Sequence, residues 1–191
     1  VIFIVSSLLV ALAEMGDRTQ LLAILLASRF RKPVPILLGI LAATLANHAL
    51  AALAGFYVSS LLSATWFKYA ISASFIVMAV WALVPDKEDD NAASERLSHA
   101  GVFIATAVSF FLVEMGDKTQ VATAALAARY HSVFWVAAGT TTGMMLANIP
   151  AVLLGHNVTR VLPIQILQRA AAGLYLVLGL WGLASAAGWI K

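Results

Sequence analysis

Glu14-Met15-Gly16-Asp17-Arg18-Thr19-Gln20 recurs as Glu114-Met115-Gly116-Asp117-Lys118-Thr119-Gln120, and each copy sits near the centre of an apolar run. The displacement of 100 residues that superimposes the two strings also superimposes Phe3 on Phe103, Arg29 on Arg129, Gly39 on Gly139, Gly55 on Gly155 and Trp81 on Trp181. Similarity at one fixed offset over nearly the whole chain marks an internal duplication. The two charged strings are therefore expected to act together.

Hydrophobic residues make up 62% of the chain and charged residues 11%, which places it among membrane proteins rather than soluble domains. A helix needs about 20 mainly apolar residues to span a bilayer. Six runs are of that order, over residues 2–28, 33–61, 66–84, 101–128, 133–158 and 164–190. The expected fold class is an all-α polytopic membrane protein with six transmembrane helices. Residues 1–84 form a first three-helix repeat, 85–100 an acidic cytoplasmic loop, and 101–191 a second three-helix repeat. Three spans per half force the second half to enter the membrane from the opposite side, giving inverted repeats.

Basic residues set the orientation, because they are retained on the cytoplasmic side. The loops after the first, third and fifth runs carry Arg29, Arg31, Lys32, Lys87, Arg96, Arg160 and Arg169, against Lys68, Arg129 and Lys191 on the other face. Both termini are thus expected outside the cytoplasm. The acids of the central loop, Asp86, Glu88, Asp89, Asp90 and Glu95, read as a solvated linker and contribute little to orientation. The net charge of +3 is spread over span ends rather than gathered in one patch, so no nucleic-acid partner is expected. Cysteine is absent, which excludes disulfides and thiolate ligands and leaves oxygen, imidazole or thioether for any metal. Ala11-Leu12-Ala13 imitates a signal-peptidase site, but the apolar run resumes beyond it and the second copy has Phe111-Leu112-Val113, so cleavage is not expected.

Glu14, Asp17, Glu114 and Asp117 fall near the bilayer midplane in this arrangement. An isolated carboxylate there costs about 2.5–3.5 kcal/mol on insertion scales, so all four demand compensation. Arg18 and Lys118, each four residues beyond a glutamate, offset part of the charge as i,i+4 pairs if the helix is continuous. Ion-paired motifs that only fix helix packing are the plain alternative. Four acids against two bases nevertheless leave about two negative charges, which one divalent cation or two protons would neutralise. On a continuous helix Glu14 and Asp17 lie about 60° apart and point to one side. An inverted repeat brings both acid pairs together, giving a four-carboxylate cage suited to Mn, Mg or Ca.

Neighbouring residues supply candidates for additional ligands or supporting donors: Thr19, Gln20, Thr119, Gln120, Asn47 and Asn148, with the thioethers of Met15 and Met115 favouring Mn if they ligate. For Asn47, Asn148 and the adjacent His48, interhelical hydrogen bonding is the competing role, and His156 reads as interfacial. Gly16 and Gly116 either bend the helix or admit a close neighbour. Gly39 with Ala43 and Gly139 with Gly143 read as packing pairs.

The string Glu-x-Gly-Asp-[Lys/Arg]-[Thr/Ser], once in each half, resembles the signature of the Golgi and bacterial cation/proton antiporter family, which comprises Golgi Mn/Ca–proton antiporters and bacterial MneA-type manganese exporters. The resemblance implies a secondary transporter, not an enzyme, with no cofactor and with Mn2+ or Ca2+ as the transported substrate in exchange for protons. It assigns the ion site to Glu14, Asp17, Glu114 and Asp117, and implies export across a bacterial inner membrane. A Ca2+/proton antiporter and a passive divalent cation channel stay open as alternatives. No His-Glu-x-x-His motif, Gly-x-Ser-x-Gly elbow or phosphate-binding loop points to an enzyme.

Overall fold

The computed structural model describes residues 1–61, 65–81, 83, 98–154 and 164–189. Among these the chain is all-helical: α1 (Ile2–Glu14), α2 (Arg18–Phe30), α3 (Pro33–Leu61), α4 (Thr65–Trp81), α5 (His99–Glu114), α6 (Lys118–Tyr130), α7 (Val133–Leu154) and α8 (Ile164–Ala186). The central acidic loop, Gly155 and His156 lie outside the described residues.

The first and fourth apolar runs are not the single helices that hydropathy predicts. Each breaks at Met-Gly, into α1 and α2 in the first half and α5 and α6 in the second, where the axes bend by 71°. Helices α3 and α7 are long and apolar enough to cross a membrane, as is the bent α5–α6 pair if counted as one span. Helix α3, with 29 residues, is about 43 Å long at 1.5 Å per residue.

The distribution of polarity differs from that of a soluble domain. Leu8, Leu45, Val77, Leu112, Leu153 and Val177 are exposed, whereas all four motif acids, Lys118, His48, Asn47 and Asn148 are buried. An apolar surface around an apolar core that also encloses charged and polar groups is what hydrocarbon solvent selects.

The halves interlock through repeated contacts. Helix α3 packs on α5, and α7 on α1. A Cβ on Gly39 would lie 2.8 Å from Phe103 O and from Thr106 Cβ; one on Gly139 would lie 2.7 Å from Phe3 O and 2.8 Å from Ser6 Cβ. Those partners are themselves related by the 100-residue displacement, so glycine at both places lets the same backbone crossing form twice. Helices α4 and α8 pack against each other and bring Phe75 onto its repeat counterpart Tyr175, ring centroids 6.4 Å apart and 29° from parallel.

Candidate cation site

The helix break follows from the motif's own chemistry. Met15 is extended (φ −67°, ψ 114°), Gly16 has φ 83°, and the Asp17 N–H donates to the Glu14 carbonyl at 3.1 Å. This is a type II turn, whose third residue needs positive φ and therefore glycine. The second motif repeats it: Met115 at φ −63°, ψ 118°, Gly116 at φ 78°, and Asp117 N–H to Glu114 O at 3.1 Å. A Cβ on Gly116 would meet nothing within 4 Å, so backbone conformation, not close packing, requires that glycine.

Each turn is braced from behind. The Gly16 N–H donates to Gln20 Oε1 at 2.7 Å, and the Gly116 N–H to Gln120 Oε1 at 2.7 Å. The Gln20 amide also donates to the Ala147 carbonyl on α7 at 3.0 Å. These glutamines, anticipated as ligands or supporting donors, hold the turn.

Breaking the helix changes how the acids meet. Glu14 and Glu114 close α1 and α5, whereas Asp17 and Asp117 are the N-caps of α2 and α6. The continuous-helix geometry expected for each acid pair is thus replaced by a turn between the glutamate and the aspartate. The positive ends of α2 and α6 also arrive at the acids, where helix N-termini favour negative charge.

Carboxylate oxygens of Glu14, Asp17 and Asp117 lie within 4.8 Å of one another, all three residues being buried. Three of the four acids expected at the site, drawn from both motifs, thus form a compact triad. Glu114, equally buried, stands to one side: its Oε1 accepts from Thr44 Oγ1 at 3.4 Å and Asn47 lies against its carboxylate. It remains within electrostatic reach of Glu14.

Lys118 does not pair along its own helix with Glu114, as i,i+4 spacing suggested. Its ammonium, 2% exposed, contacts the Asp17 carboxylate from the opposite half. The 71° bend separates Glu114 from the axis of α6 and makes the cross-repeat pair the available one. Arg18, its counterpart, has a side chain outside the described part of the structure.

The hydroxyls differ between copies. Thr19 Oγ1 donates to Glu14 Oε2, whereas Thr119 Oγ1 donates to Asp117 Oδ2 at 3.2 Å. The Asn47 amide donates to the Phe111 carbonyl on α5 at 3.0 Å, an interhelical bond, whereas the Asn148 amide donates within α7 to the Met144 carbonyl at 3.0 Å. Met15 is half-buried beside the turn, but Met115 is 58% exposed on the outer face and does not join the carboxylates. Buried atoms without a hydrogen-bond partner include Glu14 Oε1, Glu114 Oε2, Asn47 Oδ1 and Asn148 Oδ1. Such oxygens are costly to bury, and a hard cation is one group that satisfies several at once.

One residue beside the acids escaped the sequence reading: Thr44 is an ordinary helix threonine until α3 packs on α5 and brings it to Glu114. A separate cavity of about 510 Å³, lined in part by Lys68, Ser72, Arg129 and His131, contains none of the four acids.

A buried carboxylate triad assembled from two copies of one motif suits cation handling, and the comparisons agree. The family described as divalent cation/proton antiporter GDT1 matches residues 2–90 and 102–189, one segment per half. The chain belongs to this family. It is a membrane cation/proton antiporter by membership, not an enzyme, and divalent cations and protons are the substrates that define the family. A Vibrio cholerae protein described as a candidate manganese exporter is 49% identical, over 90% of this chain and 84% of that protein. A GDT1-like protein of Synechocystis is 27% identical over 82% of this chain and 84% of its own length. GDT1-like protein 4 of Arabidopsis thaliana is 22% identical over 88% and 89%. No solved structure is significantly similar.

Proposed function

We propose that this chain exports Mn2+ from the cytoplasm in exchange for protons, at a midplane site formed jointly by both Glu-x-Gly-Asp motifs. The observation that carries the proposal is the triad of Glu14, Asp17 and Asp117, in which each half contributes at least one buried carboxylate. The 49% identical relative described as a candidate manganese exporter favours Mn2+ over Ca2+ as cargo. The architecture that accompanies it is six spans in two inverted repeats, 1–84 and 101–191, joined by a cytoplasmic loop over 85–100. Each broken pair, α1–α2 and α5–α6, then counts as one span. Both termini face away from the cytoplasm of a bacterial inner membrane.

Antiport follows from shared ligands. A divalent ion and protons neutralise the same carboxylates, so each excludes the other without a separate proton path. Lys118 supplies a third form of compensation, its ammonium on Asp17 standing where cargo charge would be. An ion entering from the cytoplasm displaces protons and the lysine from the acids. Rocking of the halves then exposes the site outside, where protons expel the ion. All four acids being 2% exposed or less favours such a carrier over an open pore.

Purified protein in liposomes tests the proposal. An imposed pH gradient should drive Mn2+ uphill with measurable proton counterflow. Flux that only dissipates a Mn2+ gradient and moves no protons would establish the channel alternative, and uphill transport of Ca2+ but not Mn2+ would establish the calcium one.

A further inference from the structure

We propose that the cavity walled by α3, α4, α6 and α8 is an anion site that takes a phosphate group, carried by the headgroup of an anionic phospholipid. The inference is independent of which cation the motifs carry, because none of the four acids lines this cavity.

The cavity, of about 510 Å³, lies where α3, α6 and α8 end and α4 begins. Ser59 comes from the last turn of α3, Lys68 and Ser72 from the N-terminal half of α4, Arg129 and His131 from the end of α6, and Ser185 from the last turn of α8. Small-ligand pockets occupy about 300–1,000 Å³, so the space is of a suitable size. Its charge is one-sided. All nine Asp and Glu residues of the chain are elsewhere in sequence, four in the two motifs and five from position 86 to position 95, beyond the far end of α4. Among the described residues neither Lys68 nor Arg129 is paired with a carboxylate.

The cationic wall is built rather than incidental. The Arg129 guanidinium lies 4.8 Å over the Trp181 ring, and a Cβ on the adjacent Gly182 would collide with Ser72 Oγ and fall 3.1 Å from Arg129 Nη1. Glycine at that place lets the guanidinium and α4 both lie against α8. His131, in the left-handed conformation that ends α6, is tied through Nδ1 to Ser59 Oγ at 3.2 Å. Ser59 donates to the Phe56 carbonyl at 2.6 Å and Ser72 to the Lys68 carbonyl at 2.8 Å. These hydroxyl protons are spent within the protein, which leaves Arg129 and Lys68 as the principal donors to a ligand. A cation in the last turn of α6 is accounted for by the helix dipole, and Arg129 is such a cation. Lys68 is not: it sits in the opening turn of α4, where the dipole opposes a positive charge and favours an anion. An anion in the cavity compensates both.

A guanidinium fork beside an ammonium suits the oxygens of phosphate. Trp66, Tyr69 and Trp181, each next in sequence to a lining residue, are exposed. Trp and Tyr concentrate at the membrane–water boundary, which sets the cavity at headgroup depth. The anion abundant at that depth is lipid phosphate, and basic residues there attract it.

Native mass spectrometry of detergent-purified parent, R129Q, K68Q and R31Q, each titrated with phosphatidylglycerol or phosphatidylcholine, measures the tightest lipid site. Calorimetry with inorganic phosphate measures binding of the soluble anion. Arg31 is an exposed cation that precedes α3, at the end opposite to Ser59, and serves as the control. The parent should bind phosphatidylglycerol about tenfold or more tightly than phosphatidylcholine. R129Q should lose about tenfold of that affinity and K68Q about fivefold, with R31Q unchanged. Lys68 is exposed, so K68Q keeps the test intact if R129Q does not fold. Equal binding of the two lipids, with inorganic phosphate bound by the parent and lost in R129Q, overturns the lipid carrier and supports the phosphate site. Phosphatidylglycerol affinity unmoved by R129Q and K68Q, or lowered as much by R31Q, overturns the cavity as an anion site.

Discussion

The turns at Glu14–Asp17 and Glu114–Asp117 have the same backbone and different side-chain bonding. Both place glycine at positive φ, both close an i to i+3 hydrogen bond at 3.1 Å, and both are braced by a glutamine three residues beyond the aspartate. Yet Thr19 serves Glu14 while Thr119 serves Asp117, and Lys118 reaches across to Asp17. The lesson is that duplication fixes a frame, and the charges inside the frame settle unevenly because four acids cannot all be compensated identically by the same few groups. An uneven arrangement is what a carrier needs, since a site with two equal halves in every state has no reason to face one side of the membrane.

The largest expected effect separates the triad from the acid beside it. E14Q, D17N and D117N should each lower proton-coupled Mn2+ transport in liposomes by about two orders of magnitude, equivalent to losing about 3 kcal/mol of cation binding. E114Q should cost less, about tenfold, as for a group that supports ligands rather than supplying one. Equal losses for all four would restore the four-acid cage.

Lys118 sharpens the contrast next. Lys118→Met leaves Asp17 without its ammonium and should destabilise the metal-free protein by about 3–5 kcal/mol. Thermal unfolding with and without Mn2+ checks this: the cation should raise the melting temperature of the variant more than that of the parent, because it replaces the missing charge.

Glycine probes the shared frame. Gly16→Ala and Gly116→Ala each force an alanine into positive φ and should lose about 1–3 kcal/mol, by similar amounts in the two copies. A marked inequality in chemical denaturation would mean that the turns are not equivalent. The smallest effect should come from the threonines. Thr19→Val should cost more than Thr119→Val, by about 1 kcal/mol, because Thr19 makes the tighter bond to its carboxylate.

Much of this was legible before the fold was known, and the reasons are local. The duplication, the helical class and the burial of both acid strings follow from hydropathy and a repeated motif. The break at Met15-Gly16 was legible only as a choice between bending and packing, because a glycine in an apolar helix permits either; the i to i+3 bond decided it. Pairing of Lys118 with Asp17 was hidden, since sequence spacing favours a partner on the same helix and the 71° bend removes that partner. The contact of Glu114 with Thr44 was hidden as well, because only the packing of α3 on α5 brings the two near. Gly39 and Gly139 were readable as packing residues because small residues at helix crossings leave few other roles.

A single titration addresses the central claim, that one cation draws on both motifs. Mn2+ is added to purified parent, D17N, D117N and the double variant, and bound metal is counted together with affinity. Joint ownership predicts that either single change removes tight binding as completely as the double change does. Two independent sites, each keeping its affinity when the other motif is neutralised, would contradict it.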